Sequence, residues 1–179
     1  MPVPFRDLRD EDSLGLAGYL RFISEDDGRG VRGALFLVNA RGEPVDFAFS
    51  RIDVPASFLW RAGEAKRHAV ASLAAVLFQA CPKAPSVLLA LADEVHPSLF
   101  TEDLVVEVPL CRVAEGDTVP YSVDESVDAL SGRLHLFWVG QTPDGDSPAR
   151  RVLSALQSRQ LTTEPFERAA KGIDEAFRE

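Results

Sequence analysis

The stretch Gly33-Ala34-Leu35-Phe36-Leu37-Val38-Asn39-Ala40-Arg41-Gly42-Glu43-Pro44-Val45-Asp46-Phe47-Ala48-Phe49-Ser50-Arg51-Ile52 decides the fold. Ala34–Val38 is an unbroken apolar run, the pattern of a buried strand. Ala40-Arg41-Gly42-Glu43 has the composition of a tight turn. Val45, Phe47 and Phe49 then alternate with Asp46, Ala48 and Ser50, the period of a strand with one face on a core. The pair predicts a hairpin over about 32–39 and 44–51, preceded by a strand at Gly18–Ile23. Three strands joined by short connections form an antiparallel meander.

Working forward, Asp53-Val54-Pro55-Ala56-Ser57 carries the residues of a helix start. The spacing predicts one long helix over 56–81, with Leu59, Ala62, Ala65, Ala69, Leu73, Val76 and Ala80 on its inner face. Pro82 and Pro85 end it. Val87–Ala92 is apolar on both faces, as expected of a central strand running parallel to a neighbour across the helical crossover. Further strands are predicted at Leu104–Leu110 and Leu134–Val139, with an acidic loop at 114–132 that includes a short helix near Asp124–Leu130. Two helices follow, over 148–159 and 164–178. The fold class is thus α/β or α+β: a mixed sheet of five to six strands, a meander first, a long crossover helix and a C-terminal helical pair. We divide the chain into a core domain, 1–147, and a C-terminal helical element, 148–179, packed on that core or on a partner.

The 179 residues carry a net charge of −9, with seven acids and only Arg133 as a base between Glu115 and Asp146. Such a chain repels phosphate backbones, so nucleic acid is expected only indirectly or within a complex, through the basic face of the long helix. No apolar run approaches the roughly 20 residues that span a bilayer, and the first residues lack the pattern of a secretory signal. A cytoplasmic protein without a membrane role is expected. An arginine-heavy basic set with abundant Ala, Val and Leu points to a bacterial genome rich in G and C. Cys81 and Cys111 lie in apolar surroundings, the setting of reduced thiols, and two cysteines make no disulfide scaffold.

Gly28-Arg29-Gly30-Val31-Arg32-Gly33 matches G-x-G-x-x-G in letters, but these glycines open a strand, whereas a dinucleotide site needs them to open a helix. His68, His96 and His135 are scattered without metal-ligand spacing, and neither cysteine has a partner at zinc spacing. No cofactor and no metal are predicted on these grounds. Asp144-Gly145-Asp146 is a surface turn lacking the further ligands of a calcium loop.

Asp93-Glu94 is the strongest site, because ligands of open α/β sheets gather beyond the carboxyl ends of the strands. His96 follows closely, and Asp46 is the third acid considered as catalytic. The order of three strands, a helix and a parallel strand over residues 18–100 resembles the ribonuclease H-like fold. The resemblance implies strand-borne carboxylates holding magnesium or manganese, and it would assign Asp46, Asp93 and Glu94 to that role. The chain departs from the pattern at the first strand, where Gly18-Tyr19-Leu20-Arg21-Phe22-Ile23 has no aspartate.

Apolar groups off the main stripe (Phe58, Trp60, Phe78) and the run Leu136-Phe137-Trp138 suit a core or a docking face. The C-terminal stripe Phe166, Ile173 and Phe177, with Arg61 and Arg67 on the long helix, is the expected partner-binding set. The function expected from these features is a non-catalytic accessory or interaction subunit of a bacterial multi-protein assembly, with assemblies that act on nucleic acid among the options. A protein partner is the expected ligand. The alternatives are a degenerate ribonuclease H-like metal-dependent nuclease and a small-molecule-binding sensor domain.

Overall fold

The meander forms as its periodicity requires. In the computed structural model, which describes residues 2–4, 13–116, 125–129 and 133–178, β1 (Leu16–Ser24), β2 (Gly30–Asn39) and β3 (Pro44–Asp53) pair antiparallel in sequence order. The register of β2 on β3 shifts at Leu37/Val38, where Pro44 has no N–H to give the ladder. β4 (Val87–Leu91) joins β1 in parallel, with Ala17 opposite Val87 and Leu20 opposite Ala90. β5 (Leu110–Glu115) joins β4 in parallel, β7 (Leu134–Val139) is antiparallel to β5, and β6 (Glu125–Ala129) closes that edge. The result is a mixed α/β fold on a seven-stranded sheet of order β3-β2-β1-β4-β5-β7-β6.

Strand alternation divides the core in two. Leu20, Phe22, Leu35, Leu37, Leu88 and Ala90 face α1 (Glu64–Ala80), where Val70, Leu73, Ala74 and Leu77 meet them. Ala17, Tyr19, Phe36, Val38, Val87 and Leu89 face α2 (Pro148–Ser158) and α3 (Glu164–Ala176), meeting Val152, Leu156, Phe166 and Ala169. Burying each such Leu or Phe removes enough apolar surface to contribute about 1.5–3 kcal/mol. The helices therefore sandwich the sheet. Gly172 lets α3 come close: a Cβ there would lie 2.6 Å from the Phe47 ring. Among the described residues no helix is long and apolar enough to cross a membrane.

Three local expectations are corrected. The long helix begins at Glu64, because Trp60 is extended and Gly63 adopts a left-handed conformation (φ 82°) that interrupts the helical run. Ser57–Leu59 instead make a 3₁₀ turn that leaves Phe58 and Leu59 exposed, while Trp60 stacks on His68 with centroids 5.0 Å apart. The buried face of α1 is correspondingly rotated: Val70, Ala74 and Leu77 are inside, whereas Val76 and Ala80 are outside. The strand expected at Leu104–Leu110 begins only at Leu110, since Pro109 offers no donor and its carbonyl accepts from Leu88 N–H. Residues 125–129, expected as part of a short helix, are strand β6; Asp124 and Leu130 lie outside the described residues. Leu136, Phe137 and Trp138 are core, and Trp138 is fully buried.

Candidate active-site cleft at the carboxyl edge

Beyond the carboxyl ends of β1, β4 and β5 opens a cleft of about 1080 Å³ lined by Arg21, Asp93, Glu94, His96, Arg112 and Glu167, among others. Its floor is the turn after β4. Glu94 and Val95 N–H both donate to Leu91 O, which turns the chain back over the strand end. Arg112 fixes that turn from β5: its side chain is buried, its Nη1 donates to Ala92 O (3.1 Å) and Val95 O (3.2 Å), and its guanidinium lies over the Phe137 ring.

Arg21 leaves β1 one residue past the last residue paired with β4. Its Nε donates to Glu94 Oε1 (2.8 Å) and Oε2 (3.1 Å), its Nη2 lies 2.7 Å from Oε1, and its Nη1 donates to Phe166 O (2.8 Å) in the first turn of α3. Phe22 N–H donates to Glu94 Oε2 (3.0 Å). Both oxygens of Glu94 are thus engaged, in a pair whose side chains are only 16% and 14% exposed. Burial raises the Glu94 carboxyl above its ordinary pKa, against the opposing pull of Phe22 N–H and the guanidinium. Asp93, next to it, is exposed.

His96 caps the 3₁₀ turn Pro97–Phe100. Its Nδ1 accepts from Ser98 N–H (3.2 Å) and lies 2.5 Å from Ser98 Oγ. With Nδ1 accepting, the neutral ring carries its proton on Nε2, a donor left for solvent and for whatever enters the cleft. At the rim, Arg67 binds Asp103 (2.6 Å) and Glu102 (2.8 Å), and holds the Asp103 carboxyl below the usual carboxylate range.

The sequence-derived residues do not all converge. Asp93, Glu94 and His96 share the cleft. Asp46 does not: it pairs with Leu37, level with Gly18 and Leu88 at the start of the parallel strands, accepts from Phe47 N–H, and its charge acts on Cys81 beyond the far end of α1. Strand register therefore removes it from any joint site with Asp93 and Glu94. Phe166 and Ile173, expected to meet a partner, are buried on the sheet, Phe166 edge-on to Tyr19 at 4.8 Å. Phe177 packs on Phe49 and under the Arg32 guanidinium. Arg67 is committed to Asp103 and Glu102, and Arg61 is exposed. Sequence reading missed Arg21, Arg112 and Ser98; the signal available was a lone arginine inside each of two apolar strands.

Divalent metals, implied by the ribonuclease H-like order, do not fit these residues. β1 contributes an arginine where that pattern asks for a carboxylate, and both Glu94 oxygens already accept hydrogen bonds. Among the described residues no three His, Cys, Asp or Glu side chains lie together as a metal would need.

No family model matches the chain, and no curated protein matches it. Among solved structures it is similar to endonuclease V from Streptomyces avermitilis, at 14% identity and a TM-score of 0.56, over 90% of this chain and 82% of that one. Endonuclease V from Bacillus subtilis aligns at 12% identity and a TM-score of 0.47, over 88% of this chain and 81% of that one. The likeness to the first is one of fold. The accessory-subunit expectation is corrected on this likeness, because the fold is shared over 90% of this chain with a protein described as an endonuclease.

Proposed function

We propose that this chain acts on nucleic acid as a degenerate ribonuclease H-like nuclease, with the carboxyl-edge cleft as its reaction centre. The observation that carries this reading is the placement of Asp93, Glu94 and His96 together beyond the parallel pair β1–β4, in a cleft of about 1080 Å³, on a fold similar to that of an endonuclease V. The chemistry is phosphodiester hydrolysis. Asp93, exposed on the turn, takes the proton of the attacking water as its oxygen bonds to phosphorus. The bond from phosphorus to the departing oxygen breaks, and that oxygen takes its proton from solvent. His96 Nε2–H donates to a non-bridging phosphate oxygen, a place where donors stabilise charge that grows in the transition state. Glu94, held by Arg21, fixes the floor and does not move a proton. Lys66, on the first turn of α1, borders a smaller recess with Asp93 and Glu94 and supplies a cation near the strand path.

Incubating the full chain with end-labelled single- and double-stranded DNA and RNA tests this. Internal cleavage is expected, falling about a hundredfold or more in Asp93→Asn and less in His96→Ala, as loss of a general base does. No cleavage of any of the four substrates, or cleavage that Asp93→Asn leaves unchanged, removes the reading.

A further inference from the structure

Resting on the nuclease reading, we propose that this reaction centre takes no divalent metal ion: the Arg21 guanidinium supplies the positive charge at the carboxyl edge of β1 and β4. The argument begins with the acceptors. Glu94 Oε1 receives Arg21 Nε–H and lies 2.7 Å from Nη2; Oε2 receives Phe22 N–H and a longer contact from Arg21 Nε. A magnesium or manganese ion bound by Glu94 would have to displace the guanidinium, yet Arg21 is also anchored to Phe166 O and could not withdraw without giving up the start of α3. An ion that left Arg21 in place would sit beside a fixed like charge.

The neighbouring acids do not make up the deficit. Hard divalent ions need several oxygen ligands converging at short range. Asp93 offers one carboxylate, Glu102 and Asp103 are bound by Arg67, Asp46 stands at the other end of the strands, and Glu115 and Glu167, which also line the cleft, complete no group of three metal-ligating side chains among the described residues. His96 has its Nδ1 occupied by Ser98. Arg21, by contrast, has more N–H groups than the acceptors just named can use, which leaves donors over for a phosphate oxygen. Unlike an exchangeable ion, this cation is permanently charged and covalently part of β1.

The test separates metal binding from cleavage. Mn²⁺ is titrated into the full chain while free Mn²⁺ is followed by its electron paramagnetic resonance signal, and melting is compared in chelator and in millimolar magnesium. The expected result is no loss of free signal attributable to the cleft and the same melting temperature in both buffers. Uptake of one Mn²⁺ per chain that Glu94→Gln or Asp93→Asn abolishes would overturn the proposal; uptake that both variants retain lies outside the cleft and agrees with it. Should neither variant fold, a clear rise in the wild-type melting temperature with magnesium still refutes it. In the cleavage assay, equal rates in chelator and magnesium support it, and activity lost in chelator refutes it. Absence of cleavage in either buffer removes the nuclease reading and leaves the Mn²⁺ titration to decide this one.

Discussion

Glu25 and Glu94 are each gripped by arginine, and their side chains are almost equally exposed, 15% and 14%. They titrate in opposite directions. Glu25 lies in the loop between β1 and β2, where hydrogen bonds from Arg51 and Arg32 hold its carboxyl down at about 2. Glu94 lies under the edge of the sheet with one arginine and a backbone N–H, and burial lifts its carboxyl above the ordinary value. Contact with solvent does not distinguish them. What covers them does: Glu25 is covered largely by its own counter-charges, Glu94 by strands and the start of α3. A carboxylate of the second kind is costly to keep and more costly to leave unpaired.

The largest effect should therefore come from Arg21→Ala, which leaves the half-buried Glu94 without its counter-charge and beside the like charge of Asp93. Chemical denaturation should show a loss of about 3 kcal/mol or more, the scale for breaking a buried pair. Replacing both partners by apolar residues, Arg21→Met with Glu94→Leu, should recover most of that loss, since the penalty belongs to the orphaned charge. A double variant as unstable as the single one would mean that the tie to Phe166 O matters more than the pair. Tyr19→Phe isolates the α3 side of the same contact: Tyr19 Oη donates to Thr162 O at 2.9 Å, just before α3. Its removal should cost about 1 kcal/mol and leave the Arg21–Glu94 pair in place.

The acid limb of the stability curve offers a gentler comparison. Because the folded pKa of Glu25 is depressed, its contribution is present above the unfolded value of 4.5 and is lost as pH falls toward about 2. The folded pKa of Glu94 is raised, so its ionised form is a cost that protonation relieves as pH falls. Melting followed downward from pH 7 should thus fall less steeply below pH 4.5 in Glu25→Gln, and in Glu94→Gln should lack the gain that the wild type makes as pH falls toward 4.5. The same slope in both variants would erase the distinction drawn between the two glutamates.

Much of the architecture was legible because local pattern and final environment agree. The alternation in β1–β3, the two-sided apolar run of β4 and the stripes of α2 and α3 each name their own burial. Where pattern and environment diverge, reading fails. Residues 125–129 are polar enough to suit a helix or loop and become strand only by pairing with β7. α1 starts late because one glycine is left-handed. The candidate cleft was half visible: the position of Asp93-Glu94 follows from its place after an apolar strand, but the partner of Glu94 lies 73 residues earlier. Likewise Asp46 is excluded only by a register that no local window contains.

The two tryptophans turn this architecture into something that can be watched. Trp138 is sealed in β7 with no hydrogen-bond partner for its indole nitrogen among the described residues, so it should fluoresce toward the blue. Trp60 is 38% exposed and stacked on His68, where emission should be redder. One spectrum then carries two channels. The red one reports the segment leading into α1, the blue one the body of the sheet, and a ligand that rearranges only the former should shift one band and spare the other.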